Sequence, residues 1–548
     1  MGSAPPASEP GSGGADVVTP PERRRAYEAA GLWDGTTLAG RVSAHAAATP
    51  DARAVVDAAG RHTYGSLAGD AAAVATAMRS QGVAAGDVVS IQLPNRYETV
   101  VAAVAAQSVG AVINPLLPDY RQHELVNVFG TAPPRMIFTP GEYRGFDHRG
   151  LVGAVVAASG APAPVHVVVG DSPGPDALPF ESLLGDGADT LEVGVASDVS
   201  ELIFTSGTEA RPKAIMHTER NANFSVRVAC DDLGVGPGDV VWMPSPLGHS
   251  TGFNYGLRFA LYHGLPLVLQ DRWSGSDAAD LVAAERCSYT LAATTFLQDL
   301  VEEAGRRGVS LDSLRLFGCG GAPVPPRLVD AAGAAGVQVL RLYGSTEVLV
   351  ATWNRPSSGE RQRRETDGRP MSHVEISIVG DGDRPVAVGE PGELLVRGPN
   401  TCAGYYADPD RTAATFLPGG WVRSGDVLVR SKDDHDDDFV TVVARKKEII
   451  IRGGLNIAPR EIEDLLGGLA EVERAAVVGL PDDRLGERMC ACVVLRPGSS
   501  LTFDDMVGRL RGAGLATYKL PERLEVLDAL PATASGKIQK HELVRRLT

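Results

Sequence analysis

Short apolar segments alternate with longer helical segments along most of the chain, and this alternation constrains the fold more than any other feature. Residues 64–81 are rich in alanine and predict a helix, and residues 88–93 predict a strand. The same order repeats with a helix at residues 97–110 and a strand at residues 111–113. It returns over residues 277–317. Such alternation is typical of parallel sheets covered by helices, because parallel strands need crossover connections. We therefore expect an α/β fold.

The pattern changes further along the chain, and the length of 548 residues exceeds what one hydrophobic core supports. Residues 375–443 contain short strands and turns, which predict a β-rich subdomain. After residue 446 helices and strands mix again. We predict a large domain of parallel sheets sandwiched by helices at residues 17–446, which includes the β-rich subdomain, and a small α+β domain at residues 447–548. Residues 1–16, mostly Gly, Ser, Ala and Pro, predict a disordered tail.

Residues 205–213 form the most informative motif, with the order Thr-Ser-Gly-Thr-Glu-Ala-Arg-Pro-Lys. The motif follows an apolar, strand-like segment at residues 202–204. Its hydroxyls, its backbone N–H groups and the Lys213 ammonium can bind a polyphosphate. It is not a Walker loop, because the Gly-Lys-Ser/Thr ending is missing. A segment rich in Ser, Thr and Gly also forms ordinary turns, so the rest of the chain must decide between these interpretations.

Further motifs follow in a fixed order. They read Gly-Cys-Gly-Gly-Ala-Pro at 318–323, Tyr-Gly-Ser-Thr-Glu at 343–347, Trp-Val-Arg-Ser-Gly-Asp at 421–426, Ala-Arg-Lys-Lys at 444–447 and Pro-Ala-Thr-Ala-Ser-Gly-Lys at 531–537. Together they resemble the motifs of the adenylate-forming superfamily, which includes acyl-CoA synthetases, peptide-synthetase adenylation domains and luciferases. The sequences of these motifs are most similar to those of medium-chain, alicyclic or aryl acyl-CoA ligases. The resemblance extends over almost the whole chain.

The resemblance implies an ATP site built from these motifs. The residues implied for the phosphates are Thr205, Ser206, Gly207, Thr208 and Lys213. Those implied for adenosine are Gly320, Gly321, Ala322, Tyr343, Asp426 and Arg445, with the Tyr343 ring on adenine and the Asp426 carboxylate on both ribose hydroxyls. Those implied for the chemistry are Thr346 at the α-phosphate, Glu347 on Mg²⁺ and Lys537 at the transition state. Ala214 and Ala444 replace glycines of the family, and a methyl group at Ala214 is tolerable unless the backbone there needs positive φ.

The superfamily also implies two half-reactions in one site. The small C-terminal domain would rotate about a hinge at Lys447, so that Lys537 leaves the site after adenylation. Gly453 and Gly454 would then line a channel for a thiol such as the pantetheine arm of coenzyme A. The same two glycines could instead form a simple turn.

Residues 246–252 resemble the acid-pocket motif, with His249 at the position that gates the acyl site. Relatives that activate α-amino acids carry Asp where this chain has Ser250, so a proteinogenic amino acid is disfavoured. Asn254 and Arg258 have the spacing to share a helical face with Ser250 or Thr251. If that face lines the pocket, the substrate has a polar or anionic end, or is small and polar throughout. If it faces solvent, these residues have no role in recognition.

We therefore expect ATP-dependent adenylation of a small carboxylic acid and transfer to a thiol, most simply that of coenzyme A. One alternative acceptor is the phosphopantetheine of an acyl carrier protein. Another alternative is ATP-dependent activation of nitrite for diazotisation of an aryl amine. A nucleotide-binding pseudoenzyme is a further possibility, but the presence of Glu347, Asp426 and Lys537 argues against it.

The composition argues against several other classes of function. The formal net charge of -16 argues against nucleic acid or an anionic membrane as the main partner. Six scattered cysteines without a Cys-x-x-Cys pair indicate reduced, buried thiols and a cytoplasmic protein. The resemblance implies a monomer or a homodimer and does not choose between them. The most apolar stretch, residues 99–117, contains several polar residues and predicts a buried helix leading into a strand. The acidic run at residues 433–438 predicts a solvated hairpin turn more strongly than a metal cluster.

Overall fold

The computed structural model of the chain describes residues 18–170, 173–185, 190–194, 199–205, 212–433, 435, 437–452, 455–482, 485–513, 515, 519–533 and 536–548. The predicted tail at residues 1–16 lies outside these ranges. The chain divides into two compact units. The first comprises Met1–Arg227, Leu257–Gly264 and Gly398–Val422, and the second comprises Val228–Gly256, Leu265–Arg397 and Arg423–Thr548. The boundary expected between residues 446 and 447 stays a prediction.

The helices have the following bounds: α1 Pro21–Ala29, α2 Leu38–Ala48, α3 Tyr64–Ser80, α4 Tyr97–Val109, α5 Gln122–Thr131, α6 Leu151–Ser159, α7 Glu219–Leu233, α8 Ser250–Gly252 continuing through Phe253–Arg258 and Phe259–His263, α9 Gly275–Glu285, α10 Thr294–Arg307, α11 Pro326–Ala334, α12 Glu360–Glu365, α13 Pro409–Thr415, α14 Pro459–Gly467, α15 Phe503–Gly512 and α16 Lys540–Leu547. Short 3₁₀ turns lie at Phe180–Leu183, Asp381–Asp383 and Lys446–Glu448.

The strands up to the middle of the chain are β1 Arg53–Val56, β2 Arg61–Thr63, β3 Val88–Ile91, β4 Val112–Pro115, β5 Met136–Pro140, β6 Glu142–Tyr143, β7 Phe146–Asp147, β8 Val165–Val169, β9 Leu178–Pro179, β10 Glu201–Thr205, β11 Lys213–His217, β12 Val241–Met243, β13 Leu267–Leu269 and β14 Tyr289–Ala293. The later strands are β15 Leu316–Gly320, β16 Gln338–Ser345, β17 Leu349–Trp353, β18 Arg369–Pro370, β19 Glu375–Val379, β20 Pro391–Arg397, β21 Phe416–Leu417, β22 Trp421–Lys432, β23 Asp438–Arg445, β24 Ile450–Arg452, β25 Leu455–Ile457, β26 Val472–Asp482, β27 Gly486–Leu495 and β28 Arg523–Val526.

Local sequence explains where the early helices begin and end. Helix α3 begins after Thr63, whose hydroxyl accepts a hydrogen bond from the backbone N–H of Ser66 at 3.1 Å. Helix α4 ends at Gly110, which has a left-handed φ of 78° that suits glycine. Helix α4 is buried along nearly its whole length and leads into β4. The apolar stretch at residues 99–117 is therefore a buried helix and strand, as predicted. Within the described ranges, no helix is long and apolar enough to cross a bilayer.

The first unit contains a seven-stranded sheet with the order β11-β10-β4-β3-β5-β8-β9. Its neighbouring strands run parallel, except for the antiparallel pair β10 and β11 at one edge. Side chains of these strands pack with helices α5 and α6 in one hydrophobic cluster that includes Val112, Phe129 and Leu202. The second unit contains strands in the order β18-β17-β16-β15-β14-β12-β13, which are parallel from β13 to β16 and antiparallel beyond. The α/β prediction is confirmed.

The β-rich and C-terminal segments also form as predicted. Strands β19, β20, β22 and β23 belong to one sheet, in which β19 pairs antiparallel with β20 and β22 with β23. After residue 449, strands β24 to β28 form a separate sheet in the order β25-β24-β27-β26, with β28 paired to β27. Helices α14 and α15 pack on this sheet in a cluster that includes Ile462, Val477 and Met506. The C-terminal residues thus have their own sheet and core within the second unit.

Two further sequence expectations concern cysteines and the acidic run. All six cysteines are buried thiols. The acidic run connects β22 to β23, where Lys432 pairs with Asp438 across the hairpin. The Asp437 carboxylate accepts a hydrogen bond from Arg369 at 2.8 Å. In the part of the chain that is described, no cluster of three potential metal ligands occurs.

Candidate active site

The ends of the phosphate-loop motif lie side by side in the first unit. Thr205 ends β10, Lys213 begins β11, and these two residues pair directly across the antiparallel strands. Ser206, Gly207 and Thr208 lie outside the described residues. Ala214 is buried in β11 opposite Phe204, in extended backbone, so its methyl group needs no positive φ. The replacement of the family glycine is therefore tolerated.

Lys213 also lies close to an aromatic ring. Its ammonium is 5.4 Å from the centroid of the Tyr405 ring, a cation–π distance. Tyr405 is buried and is held against β11 by a backbone bridge to Ile215. The ring therefore helps to orient the lysine at the start of the strand.

The predicted adenine loop leaves the end of β15 in the second unit. A Cβ atom at Gly320 would lie 2.6 Å from Leu342 Cδ1 and 2.7 Å from the Leu342 carbonyl, so only glycine fits beside β16. Gly321 has a φ of 78°, in the left-handed region that favours glycine. The Ala322 carbonyl accepts a hydrogen bond of 3.4 Å from the Thr294 hydroxyl. Packing and backbone geometry thus already require the two glycines, whatever this loop binds.

The first three residues of the motif at residues 343–347 lie in strand β16. This strand extends to Ser345 and pairs antiparallel with β17. Gly344 permits this extension, because a Cβ atom there would lie 2.1 Å from the Leu349 carbonyl oxygen. Thr346 and Glu347 follow in the turn between the two strands, and both are half-buried.

A buried carboxylate connects three of the predicted site residues. The Tyr343 hydroxyl donates a hydrogen bond of 2.7 Å to Asp426 Oδ2, and Arg445 Nε lies 3.1 Å from Asp426 Oδ1. Asp426 is only 4% exposed. Burial raises the pKa of Asp426, while Arg445 and the Tyr343 hydroxyl act in the opposite direction. One carboxylate oxygen thus accepts a hydrogen bond and the other pairs with a cation. A carboxylate with two accessible oxygens can accept both hydroxyls of a ribose diol.

Lys537 belongs to the same group of charges. Burial and the Arg445 guanidinium lower the pKa of Lys537, and Asp426, Glu448 and Glu347 oppose this change. Many protein atoms surround the ammonium, yet Lys537 remains exposed to solvent, so water screens these charges. A tight turn holds the residue: its N–H donates to the Thr533 hydroxyl at 3.1 Å, and Gly536 has a φ of 80°. Charges far apart in sequence therefore act on one another within the second unit.

His249 lies near Lys537 at the start of α8. Its Nδ1 accepts a hydrogen bond of 3.2 Å from the backbone N–H of Thr251, which leaves the ring proton on Nε2. Burial and the nearby Lys537 ammonium lower the pKa of His249 to about 4. The ring is therefore neutral at physiological pH. The turn that presents it requires Gly252, because a Cβ atom there would lie 2.1 Å from the Pro246 carbonyl oxygen.

Helix α8 differs from the expectation at Asn254 and Arg258. Residues 253–258 form a π-helix, so the spacing argument, which assumed an α-helix, does not hold along this segment. Ser250, Asn254 and Arg258 are all buried, and none faces solvent. Buried π-helical turns occur often at functional sites, but recognition by Ser250 and Asn254 stays a prediction.

Arg258 is engaged by two buried glutamates. Its Nη1 lies 2.9 Å from Glu219 Oε2 and 2.6 Å from Asn223 Oδ1, and its Nη2 donates to Glu201. The side chains of Arg258, Glu201 and Glu219 are all 0% exposed. This arrangement contradicts the idea of an arginine available to a substrate anion. Sequence reasoning missed Glu201, although a glutamate inside the apolar segment at residues 201–205 signals a buried partner.

The hinge and channel residues are only partly described. Backbone at Lys446–Glu448 forms a 3₁₀ turn between β23 and β24, which includes the predicted pivot Lys447. Gly453 and Gly454 lie outside the described residues. Ala444 pairs with Val427 in extended backbone, so the second departure from the family glycine is also tolerated.

Comparison with known proteins places this chain in a family. The AMP-binding enzyme family matches residues 42–406, and the AMP-binding enzyme C-terminal domain matches residues 461–537. The chain is 35% identical over 542 residues to a medium-chain fatty-acid–CoA ligase of Escherichia coli, covering 96% of this chain and 94% of that protein. It is 33% identical over 558 residues to a salicyl-AMP ligase / salicyl-S-ArCP synthetase of Mycobacterium tuberculosis, covering 99% and 96%.

A solved structure agrees in fold. The structure of an anthranilate CoA ligase in complex with anthranoyl-AMP has a TM-score of 0.86 to this chain at 22% identity, covering 94% of this chain and 97% of that one. The chain therefore belongs to the AMP-binding enzyme family, within the adenylate-forming superfamily. The predicted enzyme class, an AMP-forming acid–thiol ligase, is confirmed.

Proposed function

We propose that this enzyme adenylates a carboxylic acid with ATP and then transfers the acyl group to the thiol of coenzyme A. The observation that carries the proposal is the grouping of Lys537 with Asp426, Arg445 and Glu347. A protein that only binds nucleotide needs the carboxylate for ribose, but it has no use for a lysine brought in from the turn before the last helix. A positive charge at this point suits a reaction in which negative charge develops on phosphorus.

In the first step, a carboxylate oxygen of the acid attacks the α-phosphorus, and the bond to the pyrophosphate oxygen breaks. Asp426 would hold the ribose and Lys213 the departing phosphates, while the Lys537 ammonium stabilises the charge on the α-phosphoryl oxygens. In the second step, the thiol sulfur attacks the acyl carbonyl carbon and AMP leaves. The thiol proton is lost to solvent or to a base that this proposal does not name.

Magnesium is the metal that the family implies. Glu347, which is half-buried in the turn after β16, is the carboxylate that would bind it, and the described residues contain no cluster of three ligands. One carboxylate suits Mg²⁺, because this ion commonly takes its remaining oxygen ligands from nucleotide phosphates and water. When bound, the ion would neutralise charge on the phosphates. Glu347 would orient it.

The charge of His249 and the ion pairs of Arg258 limit which class of acid the enzyme can bind. His249 is neutral, so it offers a hydrogen bond rather than a charge to the acyl site. Arg258 is already paired with Glu201 and Glu219, so it offers no cation to a second carboxylate. We therefore propose a monocarboxylic acid whose remaining atoms are uncharged. The named relatives, which act on a medium-chain fatty acid and on salicylate, support aliphatic and aryl acids alike.

A carrier protein is the second candidate acceptor, because one relative is named a salicyl-S-ArCP synthetase. The deciding experiment incubates the enzyme with ATP, Mg²⁺, coenzyme A and a pool of aliphatic, alicyclic and aryl acids, and identifies products by mass spectrometry. A thioester supports the proposal. Acyl-AMP without thioester supports a carrier protein. No product at all would refute acid adenylation and direct attention to nitrite with an aryl amine.

Replacement of the lysine tests the mechanism. In Lys537→Ala we expect pyrophosphate exchange to fall by roughly 10²–10³-fold, the loss typical when one preorganised charge or donor is removed from a transition state. Circular dichroism and ATP binding should change little. Lys519→Ala is the matched control, since Lys519 pairs with Glu461 away from these charges. Unchanged exchange in Lys537→Ala would refute the assigned role.

A further inference from the structure

Asp367 is a buried carboxylate that connects three elements beside the candidate site. Its Oδ1 accepts hydrogen bonds from Arg341 Nε at 3.1 Å and Nη2 at 2.8 Å. Its Oδ2 accepts one from the backbone N–H of Val442 at 2.9 Å. Arg341 lies in β16 before Tyr343, and Val442 lies in β23 before Arg445. Asp367 therefore braces the two strands that carry partners of Asp426.

The backbone around Asp367 is fixed by its neighbour. Gly368 has a φ of 86°, and a Cβ atom there would lie 1.9 Å from the backbone carbon of Trp353. The Gly368 carbonyl accepts a hydrogen bond from the Val440 N–H at 2.8 Å, and the Asp367 N–H donates to the Val440 carbonyl at 2.7 Å. These contacts leave the Asp367 carboxylate little freedom to follow a partner that moves.

A second arginine reaches Asp367 from the C-terminal segment. Arg460 lies in the first turn of α14, its side chain is 13% exposed, and its Nη1 is 3.6 Å from Asp367 Oδ2. Burial raises the pKa of Asp367, but Arg460 and Arg341 outweigh it and hold this pKa below its usual range. Arg341 forms two hydrogen bonds with the carboxylate, so Asp367 keeps one cationic partner without Arg460. The Arg460 contact adds a second cationic partner from the C-terminal segment.

We propose that Arg460 and Asp367 form a latch that holds the C-terminal segment in the arrangement where Lys537 lies beside Asp426. The proposal rests on the two half-reactions of the proposed function. Arg460 lies beyond the 3₁₀ turn at Lys446–Glu448, whereas Asp367 lies before it. A rotation about this turn would separate the pair, so the latch stabilises the adenylating arrangement and opposes the thiol-transfer arrangement. Arg460 is accordingly a positioning residue that acts through Lys537.

Arg496 provides a matched control for this contact. It also joins the C-terminal segment to an earlier element, since its Nη1 lies 3.6 Å from Glu302 Oε1. Both partners are well exposed, with side-chain exposures of 36% and 54%. Removing one partner of an exposed pair costs little, whereas removing one partner of a largely buried pair is costly, because the other charge stays buried. Arg460→Gln and Arg496→Gln therefore remove the same chemical group at the same 3.6 Å from a partner in an earlier element. Arg460 additionally lies 3.9 Å from Asp464 within its own helix.

The first test needs no substrate and uses trypsin on the full-length chain, followed by mass spectrometry of the cut at residues 445–447. In Arg460→Gln we expect this cut to be about tenfold faster than in wild type, since about 1.4 kcal/mol of lost latch energy changes an equilibrium tenfold. In Arg496→Gln and in Arg460→Lys we expect rates close to wild type. Equal rates in Arg460→Gln and Arg496→Gln would overturn the proposal. Failure of Arg460→Gln to fold would also overturn it, because Arg341 should suffice for Asp367.

The second test separates the half-reactions. We expect Arg460→Gln to slow pyrophosphate exchange about tenfold while leaving thioester formation from supplied acyl adenylate unchanged or faster. A purely structural role would lower both rates together and would contradict the latch. If wild type adenylates no acid at all, the proposed function fails, but the trypsin comparison still decides whether the latch exists.

Discussion

The buried group of Arg258, Glu201 and Glu219 leads to a quantitative prediction for Arg258→Met. Methionine has a similar length and no charge, so the variant removes the guanidinium with a limited change in volume. Glu201 and Glu219 would then remain buried without their cation. Breaking a buried ion pair by removing one partner typically costs about 3–5 kcal/mol, and we expect a loss of this size. Each side chain of the group is 0% exposed, so solvent cannot compensate.

The assay is urea unfolding followed by intrinsic fluorescence and circular dichroism, with the midpoint and slope compared between variants. Arg220→Met is the control, because Arg220 pairs with Glu28 at 3.1 Å while the two side chains are 33% and 43% exposed. Such a pair contributes less than about 1 kcal/mol. The two substitutions are chemically identical, and they differ mainly in burial.

A triple variant separates charge from packing. Removal of both carboxylates together with the arginine, as Glu201→Gln, Glu219→Gln and Arg258→Met, should recover much of the lost stability, since uncompensated charge is the main penalty. If Arg258→Met destabilised no more than Arg220→Met, the reasoning would be refuted. A change in acid preference with unchanged stability would instead restore Arg258 as a substrate-binding residue.

Two further predictions concern the turn before α8 and an acid-sensitive histidine. Gly252→Ala should sharply lower the yield of folded protein and abolish adenylation, since its Cβ would lie 2.1 Å from the Pro246 carbonyl oxygen; a well-folded, active variant would contradict this. Burial lowers the pKa of His166 to about 4 from 6.5, so the unfolded chain binds a proton between these values that the folded chain does not. The free energy of unfolding should therefore fall as pH drops through this window, by up to about 1.4 kcal/mol per pH unit from this one group. Urea unfolding at several pH values should show a shallower fall in His166→Gln, and parallel curves for the two proteins would count against the assignment.

Sequence reasoning reached the site by motif order and failed where it relied on regular geometry. Tyr343, Arg445, Glu347 and Lys537 were named in advance with Asp426, because the motifs that resemble the family contain them, whereas Glu448 was not. The π-helical turns at residues 253–258 were not anticipated, since an α-helical spacing was assumed. The expectation that Arg258 could contact the substrate rested on that assumed spacing. No local sequence pattern shows that Glu201 and Glu219, which lie in other elements, contact Arg258.

The amino-acid sequence by itself determined the alternation of helices and strands, the order of the motifs and the inventory of charges for adenylation. These are local properties, because periodicity, glycine positions and residue types can be read from the sequence without knowledge of the tertiary contacts. Only the tertiary structure decided which charges meet. It placed Lys537 among Asp426 and Arg445, and it set Arg460 against Asp367. The physical reason is that burial and charge pairing depend on distances between segments remote in sequence, and those distances exist only once the chain has folded.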